Sequence, residues 1–325
     1  ASNVELGCTK ALNALNNSRL KVNTLDGKNV AEMFGEYLGI FEAQKIQITN
    51  DGNTHKIGAG FSGVMRVKYV LCSKGQYNPT FYFNPSSKSD IIVDNGTGFE
   101  VIRGYLRIGS DNTGPLVLHS AGNWSFVMTD HRYTSSADNI QIVMQSDLAI
   151  DTSNYDKPTE EGFVVTLKNN AWKDTKYQKM LSGAKAFSVF GNGTFEFGSR
   201  DAQFTGGFTA SNGVTVAVKK DVYPGKGNVT IKDTATLKLF DSDSGTVPVA
   251  GKLTLEGGAT LHIPQFSASV VPIAVNSLEF TNDENNKKVT LKIDSGSLIS
   301  GYNVILESDN AIPENAWSMI EVSLN

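Results

Sequence analysis

Two stretches decide the fold: NVTIKDTATLKLF at 228–240 and GKLTLEGGATLHI at 251–263. Val229-Thr230-Ile231 falls on Leu253-Thr254-Leu255, and Leu237-Lys238-Leu239 on Leu261-His262-Ile263, each 24 residues later. A third copy opens at Leu278-Glu279-Phe280, 25 residues on. It carries a longer polar insertion, Asn282–Lys288, before Val289-Thr290-Leu291-Lys292-Ile293. A fixed period whose length varies only in polar turns marks a solenoid. Within each copy the apolar residues sit at i and i+2, which places them on one side of a strand. One such coil cannot bury its apolar side alone, but coils stacked about 4.8 Å apart share a continuous core. The repeats therefore predict an all-β chain folded as a parallel β-helix. A β-sandwich also yields many short strands, but it does not require a 24-residue self-similarity, and its strands run nearer five or six residues.

Upstream the same texture continues. Short alternating segments occur at 91–93, 99–101, 105–108, 116–118, 124–126, 140–142, 148–150 and 164–167, separated by Asn, Asp, Gly and Ser, the residues that form turns. The N-terminal region reads differently. In NVAEMFGEYLGIFEAQ (29–44), Val30, Met33, Phe34, Tyr37, Leu38 and Phe41 follow helical spacing, with Asn29 and Glu32 as a variant capping box. Residues 1–45 are thus expected to form a helical or irregular cap over the open end of a solenoid spanning 46–325, with its clearest repeats at 191–293. A cap there shields unpaired strand edges. A second irregular stretch, 168–184, is expected to project from the stack as a long loop or short helix.

Composition narrows the function classes. The chain has 325 residues, 40% hydrophobic and 19% charged, with 31 glycines, which fits a folded β protein rich in tight turns. Its net charge of −4 argues against nucleic acid as a partner, since that needs a basic stripe. No apolar run is long enough to span a membrane. The start, Ala1-Ser2-Asn3, lacks the basic and apolar regions of a signal peptide, as expected of a mature terminus or of a cytosolic chain. Two cysteines, Cys8 and Cys72, match neither a disulfide scaffold nor a zinc pattern; a single bridge and two separate thiols are both open.

One stretch carries a resemblance. In residues 191–218, Gly191, Gly193, Thr194, Phe195 and Phe197 form a first strand, and Phe204, Thr205, Gly206, Gly207 and Thr209 a turn. Gly213, Val214 and Val216 form a second strand. This resembles the autotransporter-associated β-strand repeat of bacterial surface passengers. It departs from the pattern at Phe208 and in the order of Gly198-Ser199. The resemblance implies a right-handed parallel β-helix, secreted or on a bacterial cell surface. It also implies a translocating membrane barrel, for which the chain after residue 263 leaves no room, so the barrel was removed or the surface is reached another way. No ligand follows from it.

Candidate chemistry is sparse. Asp130, His131 and Arg132, followed by Tyr133, form the densest cluster of reactive types. β-Helical polysaccharide lyases and glycoside hydrolases set carboxylates and an Arg or Lys on a strand face, where a base abstracts a proton or two carboxylates flank a glycosidic bond. Asp90, Asp94 and Asp111 flank strands on neighbouring coils. The plainer reading of 130–133 is a polar turn. Trp124, Tyr133 and Trp172 are the aromatics expected to stack on a sugar, whereas Phe195, Phe197, Phe204 and Phe208 are expected inside. His55, His119 and His262 stand apart, and His262, between Leu261 and Ile263, is expected on the outer side. Asp241-Ser242-Asp243-Ser244-Gly245 lacks the bidentate Glu of a calcium loop. No metal site and no cofactor are expected. The favoured expectation is a non-enzymatic adhesin or stalk that binds carbohydrate or a host surface protein; the alternative is a β-helical polysaccharide lyase or glycoside hydrolase.

Overall fold

A computed structural model describes residues 3–6, 12–14, 16, 18–27, 32–49, 54–74, 79–111, 114–129, 140–169, 178–198, 202–239, 245–265, 270–283, 285–294, 304–312 and 314–324. Its strands wind as a parallel β-helix with three faces per coil. One coil shows the pattern. Strand Leu116–Ala121 lies on the first face, Trp124–Met128 on the second and Ile140–Met144 on the third. The next coil repeats it with Leu148–Asn154, Val164–Asn169 and Gln178–Gly183, paired in parallel with the coil before. Nearer the N-terminus a single long strand covers two faces: Asp90–Val101 pairs with Leu116–Ala121 through 91–94 and with Trp124–Met128 through 98–101. Strands Arg19–Gly27, Ile40–Thr49 and Val64–Lys74 do the same.

The sequence repeat is the spatial repeat. Val229 lies opposite Leu253, Leu237 opposite Leu261, and Leu253 opposite Leu278. The described residues of the insertion at 282–288 lie between strands Ile273–Thr281 and Val289–Ile293. The described residues of the Gly-rich stretch 191–218 carry strands Thr194–Phe197, Ala202–Phe204, Phe208–Ser211 and Thr215–Val218. Phe195 and Phe197 are buried, Gly207 turns the corner at φ +95°, and Val214 and Val216 point inward.

Inward side chains stack into one core with three aromatic clusters. The first holds Phe34, Tyr37, Phe41 and Phe61; the second Phe83, Phe99, Trp124 and Phe126; the third Phe187, Phe195, Phe197, Phe204 and Phe208. Burying each ring contributes about 1.5–3 kcal/mol before entropy is counted.

The helix expected over 29–44 does not form in its described residues. Phe34–Tyr37 and Ile40–Thr49 are strands, and Asn3–Leu6 pairs in parallel with 24–27. Met33, Phe34, Tyr37 and Phe41 are buried while Leu38 is exposed, so most of the apparent helical stripe consists of inward positions on and just before two strands that meet at a corner at Leu38-Gly39. Stacking on neighbouring coils outweighs a local propensity already weakened by two glycines. The expected loop or short helix at 168–184 is partly strand too: Met180 and Leu181 in Gln178–Gly183 enter the core. The described helical segment is a 3-10 turn, Glu314–Met319, at the opposite end of the stack.

Candidate binding groove on the first face

Outward positions on the first face form columns, because parallel pairing in register sets each coil's residue over the last. Lys21, Glu42, Arg66, Ile92, His119 and Asp151 occupy one such column. Alternating signs at the strand spacing of about 4.8 Å favour ion pairs between coils. Glu42 pairs with Arg19 and, at 3.2 Å, with Lys21. Arg66 Nε donates to Asp94 Oδ1 at 2.7 Å. His119 Nδ1 lies 3.1 Å from Asp151 Oδ2, and the Ser153 amide donates to the other oxygen of Asp151 at 2.9 Å. Between the first of these pairs lies a groove of about 250 Å³ lined by Arg19, Lys21, Glu42, Gln44, Arg66 and Asp94.

A strap meets Arg66 at the edge of this groove. The exposed segment 155–161 leaves the stack after Leu148–Asn154 and folds back toward the N-terminal coils. The Tyr155 amide donates to Ser120 O at 2.9 Å, and its ring lies 5.3 Å from that of His119. Asp156 meets Arg66 side by side: Nη1 donates to Oδ1 at 2.9 Å and Nη2 to Oδ2 at 2.6 Å. Lys157 pairs with Glu160 at 2.8 Å, and Asn192 Nδ2 donates to Glu160 O at 2.9 Å, which anchors the far end.

The electrostatics follow from these contacts. Hydrogen bonds to Asp156 and Asp94 push the Arg66 guanidinium above its ordinary range, and the Arg66 bond holds the Asp156 carboxyl below the usual carboxylate range. Burial disfavours ionised Glu42, but Lys21 and Arg19 outweigh it and its carboxyl also sits low. Asp151 behaves alike: burial raises it, while His119 and the Ser153 amide lower it further. Burial and the charge of Asp90 push the Tyr155 phenol up. Glycoside hydrolysis needs one carboxyl held protonated near neutral pH. Glu42 and Asp156 are instead held ionised, and Arg66 charged, by the counter-ions they face.

The residues singled out by sequence fare unevenly. Asp130, His131, Arg132, Tyr133 and Trp172 lie outside the described residues. Trp124 is buried in the aromatic core, its indole N–H donating to Ser120 Oγ at 3.0 Å, so its ring is not available for stacking on a sugar. Asp94 joins the groove, and Asp111 is elsewhere, 2.6 Å from Lys185. His262 is on the outer side as expected, 3.2 Å from Asp294; His55 is buried on the third face. Cys72 is a free, buried thiol, and Cys8 lies outside the described residues. Among the described residues no cluster of three or more His, Cys, Asp or Glu is placed to hold a metal ion.

Sequence reasoning missed Arg19, Lys21, Glu42 and Arg66. Their signal is the spacing from Lys21 to Glu42 to Arg66, which matches the coil period, but it emerges only once 29–44 is read as strands. Half-buried aromatics were also missed. Tyr82 and Tyr105 flank Arg107 on the third face, with ring centroids 5.4 and 5.8 Å from its guanidinium. Farther along, Thr194, Thr215, Thr236, Thr260 and Thr290 form one column on the second face. Ser188, Thr209, Thr230 and Thr254 form another on the first. No protein-family model matches the chain, and no curated protein or solved structure shows significant similarity to it.

Proposed function

We propose that this chain is a non-enzymatic β-helix that works outside the cell or at its surface, binding carbohydrate along its first face. The observation that carries the reading is the groove beside Arg66. It is open, polar and charged, and Glu42 within it and Asp156 beside it are held ionised by the cations they face. Such a site offers donors and acceptors to a polyhydroxylated chain without a poised proton donor. The hydroxyl-bearing columns beyond it give a long ligand further polar surface to lie on. The likeness of residues 191–218 to the autotransporter-associated repeat supports an extracellular or surface location, and a rigid solenoid suits a stalk as well as a binding face.

The test is retention of the full chain on a panel of immobilised neutral and acidic polysaccharides, followed by assay of the eluted sugar for new reducing or unsaturated ends. The reading requires retention by at least one glycan with its chain length unchanged. Failure to bind any glycan, or cleavage of the one bound, overturns it.

A further inference from the structure

We propose that the Arg66 fork is a recognition site for a ligand carboxylate, and that Asp156 occupies it as an internal stand-in for that ligand. The inference rests on the carbohydrate-binding reading and specifies its chemistry: a chain containing uronic or other carboxylated sugars.

Three observations carry it. The first is geometry. Two parallel N–H···O bonds at 2.9 and 2.6 Å, one from each terminal nitrogen of Arg66 to each oxygen of Asp156, are the fork-to-fork arrangement by which guanidinium recognises a carboxylate. The second is redundancy. Arg66 already has a partner in Asp94, at 2.7 Å through Nε, on the adjacent coil. Asp156 comes from 90 residues away, on a segment whose described residues 155–161 are exposed. A guanidinium already paired from its own stack gains little structurally from a second, strap-borne carboxylate.

The third is charge. Without the strap the groove sets three cations, Arg19, Lys21 and Arg66, against two carboxylates, Glu42 and Asp94. One positive charge is left over in the sum, on the side where the single carboxylate of Glu42 faces both Arg19 and Lys21, and Asp156, at Arg66, brings the total to zero. A ligand bringing one carboxylate to the same fork restores the same balance, while its hydroxyls face Gln44, Lys21 and Arg19 along the groove. Exchange is cheap for the protein, because the Asp156 side chain is 48% exposed and Arg66 31% exposed, and ion pairs near the surface are weak. The strap therefore acts as a competitor that tunes affinity, lowering it by the fraction of time that Asp156 holds the fork.

The experiment is calorimetric titration of the full chain with a defined oligogalacturonate, its methyl-esterified form and a neutral maltooligosaccharide of equal length. Four proteins are compared: unaltered, Asp156→Asn, Arg66→Lys and Arg66→Gln, each checked for folding by circular dichroism and thermal melting. Asp156→Asn is expected to bind oligogalacturonate about two- to fivefold more tightly, the size of a surface ion pair converted to affinity. Arg66→Lys keeps the charge but loses the fork, and is expected to lose most of that binding; Arg66→Gln should lose more, and esterification should abolish the gain. Unchanged or weaker binding by Asp156→Asn, or equal binding of the methyl ester, overturns the proposal. A lowered melting temperature of Asp156→Asn with unaltered affinity also overturns it, leaving the strap a structural staple. Binding of the neutral oligosaccharide that is indifferent to Arg66 overturns the carboxylate assignment while leaving the carbohydrate reading in place. No binding of any of the three sugars by any of the four proteins overturns both.

Discussion

Replacing Phe195 by Ala tests the coil stack where its packing is densest. Phe195 is fully buried, lies in register between Val165 and Val216, and meets Phe187 and Phe197 edge-on at centroid distances of 5.3 and 5.1 Å. The flanking strands are each held by their ladders to the strand that carries Phe195, so they cannot close over the vacated ring, and the cost approaches the upper half of the usual range for Phe→Ala, about 4 kcal/mol. In a solenoid each coil contacts only its neighbours, so this loss stays local. A single unfolding midpoint is a poor probe of a long array, whereas native-state amide exchange reads each coil separately. Exchange at Val165, Val216 and Leu167 is expected to accelerate roughly 10²–10³-fold, since about 1.4 kcal/mol is tenfold, while Val70 and Phe99, several coils away, stay as they were. Phe195→Leu should cost far less. Uniform acceleration from Val70 to Val289, or a local change below about tenfold, would refute the stacked-coil reasoning.

Three further outcomes follow from named contacts. A Cβ on Gly63 would lie 2.1 Å from Gly39 O and 2.9 Å from the Leu38 carbonyl carbon, both backbone atoms of the adjacent coil. Gly63→Ala is therefore expected to destabilise by about 2 kcal/mol or more, seen as a fall in melting temperature, even though Ala lowers unfolded-state entropy. The Cys72 thiol is pushed up to about 12 by burial, so in a Cys8→Ser background it should resist a disulfide reagent at pH 8 until denaturant is added. Glu42, Asp151 and Asp156 are held below their ordinary values. Their contribution to stability is full above the unfolded carboxylate range, near pH 4, and is lost as pH falls through the lower folded values. Melting temperature should drop below about pH 4, and Asp151→Asn should flatten that drop.

What the sequence disclosed depended on whether a residue's neighbours were visible in its own repeat. At 228–293 the copies are regular enough that alignment reproduces the pairing of Val229 with Leu253 and Leu237 with Leu261. At 29–44 it was not: Met33, Phe34, Tyr37 and Phe41 satisfy a helical period because two short strands meet at a corner, and only the coils above and below distinguish the readings. The same blindness hid the groove. Lys21, Glu42 and Arg66 are ordinary surface charges until register stacks them, and nothing local ties Asp156 to Arg66 across 90 residues. Trp124 misled for a different reason: a Trp in a strand of alternating residues reads equally well as exposed or buried until the face is known.

The central claim is that ligand lies on the first face beside Arg66. The most direct measurement is a side-chain footprint, by hydroxyl-radical labelling and mass spectrometry, of the full chain free and saturated with the glycan it retains. Protection is predicted at Arg19, Lys21 and Arg66, with increased labelling of Tyr155 as the strap gives way. Protection confined to Tyr82 and Tyr105 on the third face, or to the threonine columns, with Arg66 and Tyr155 unchanged, would contradict it.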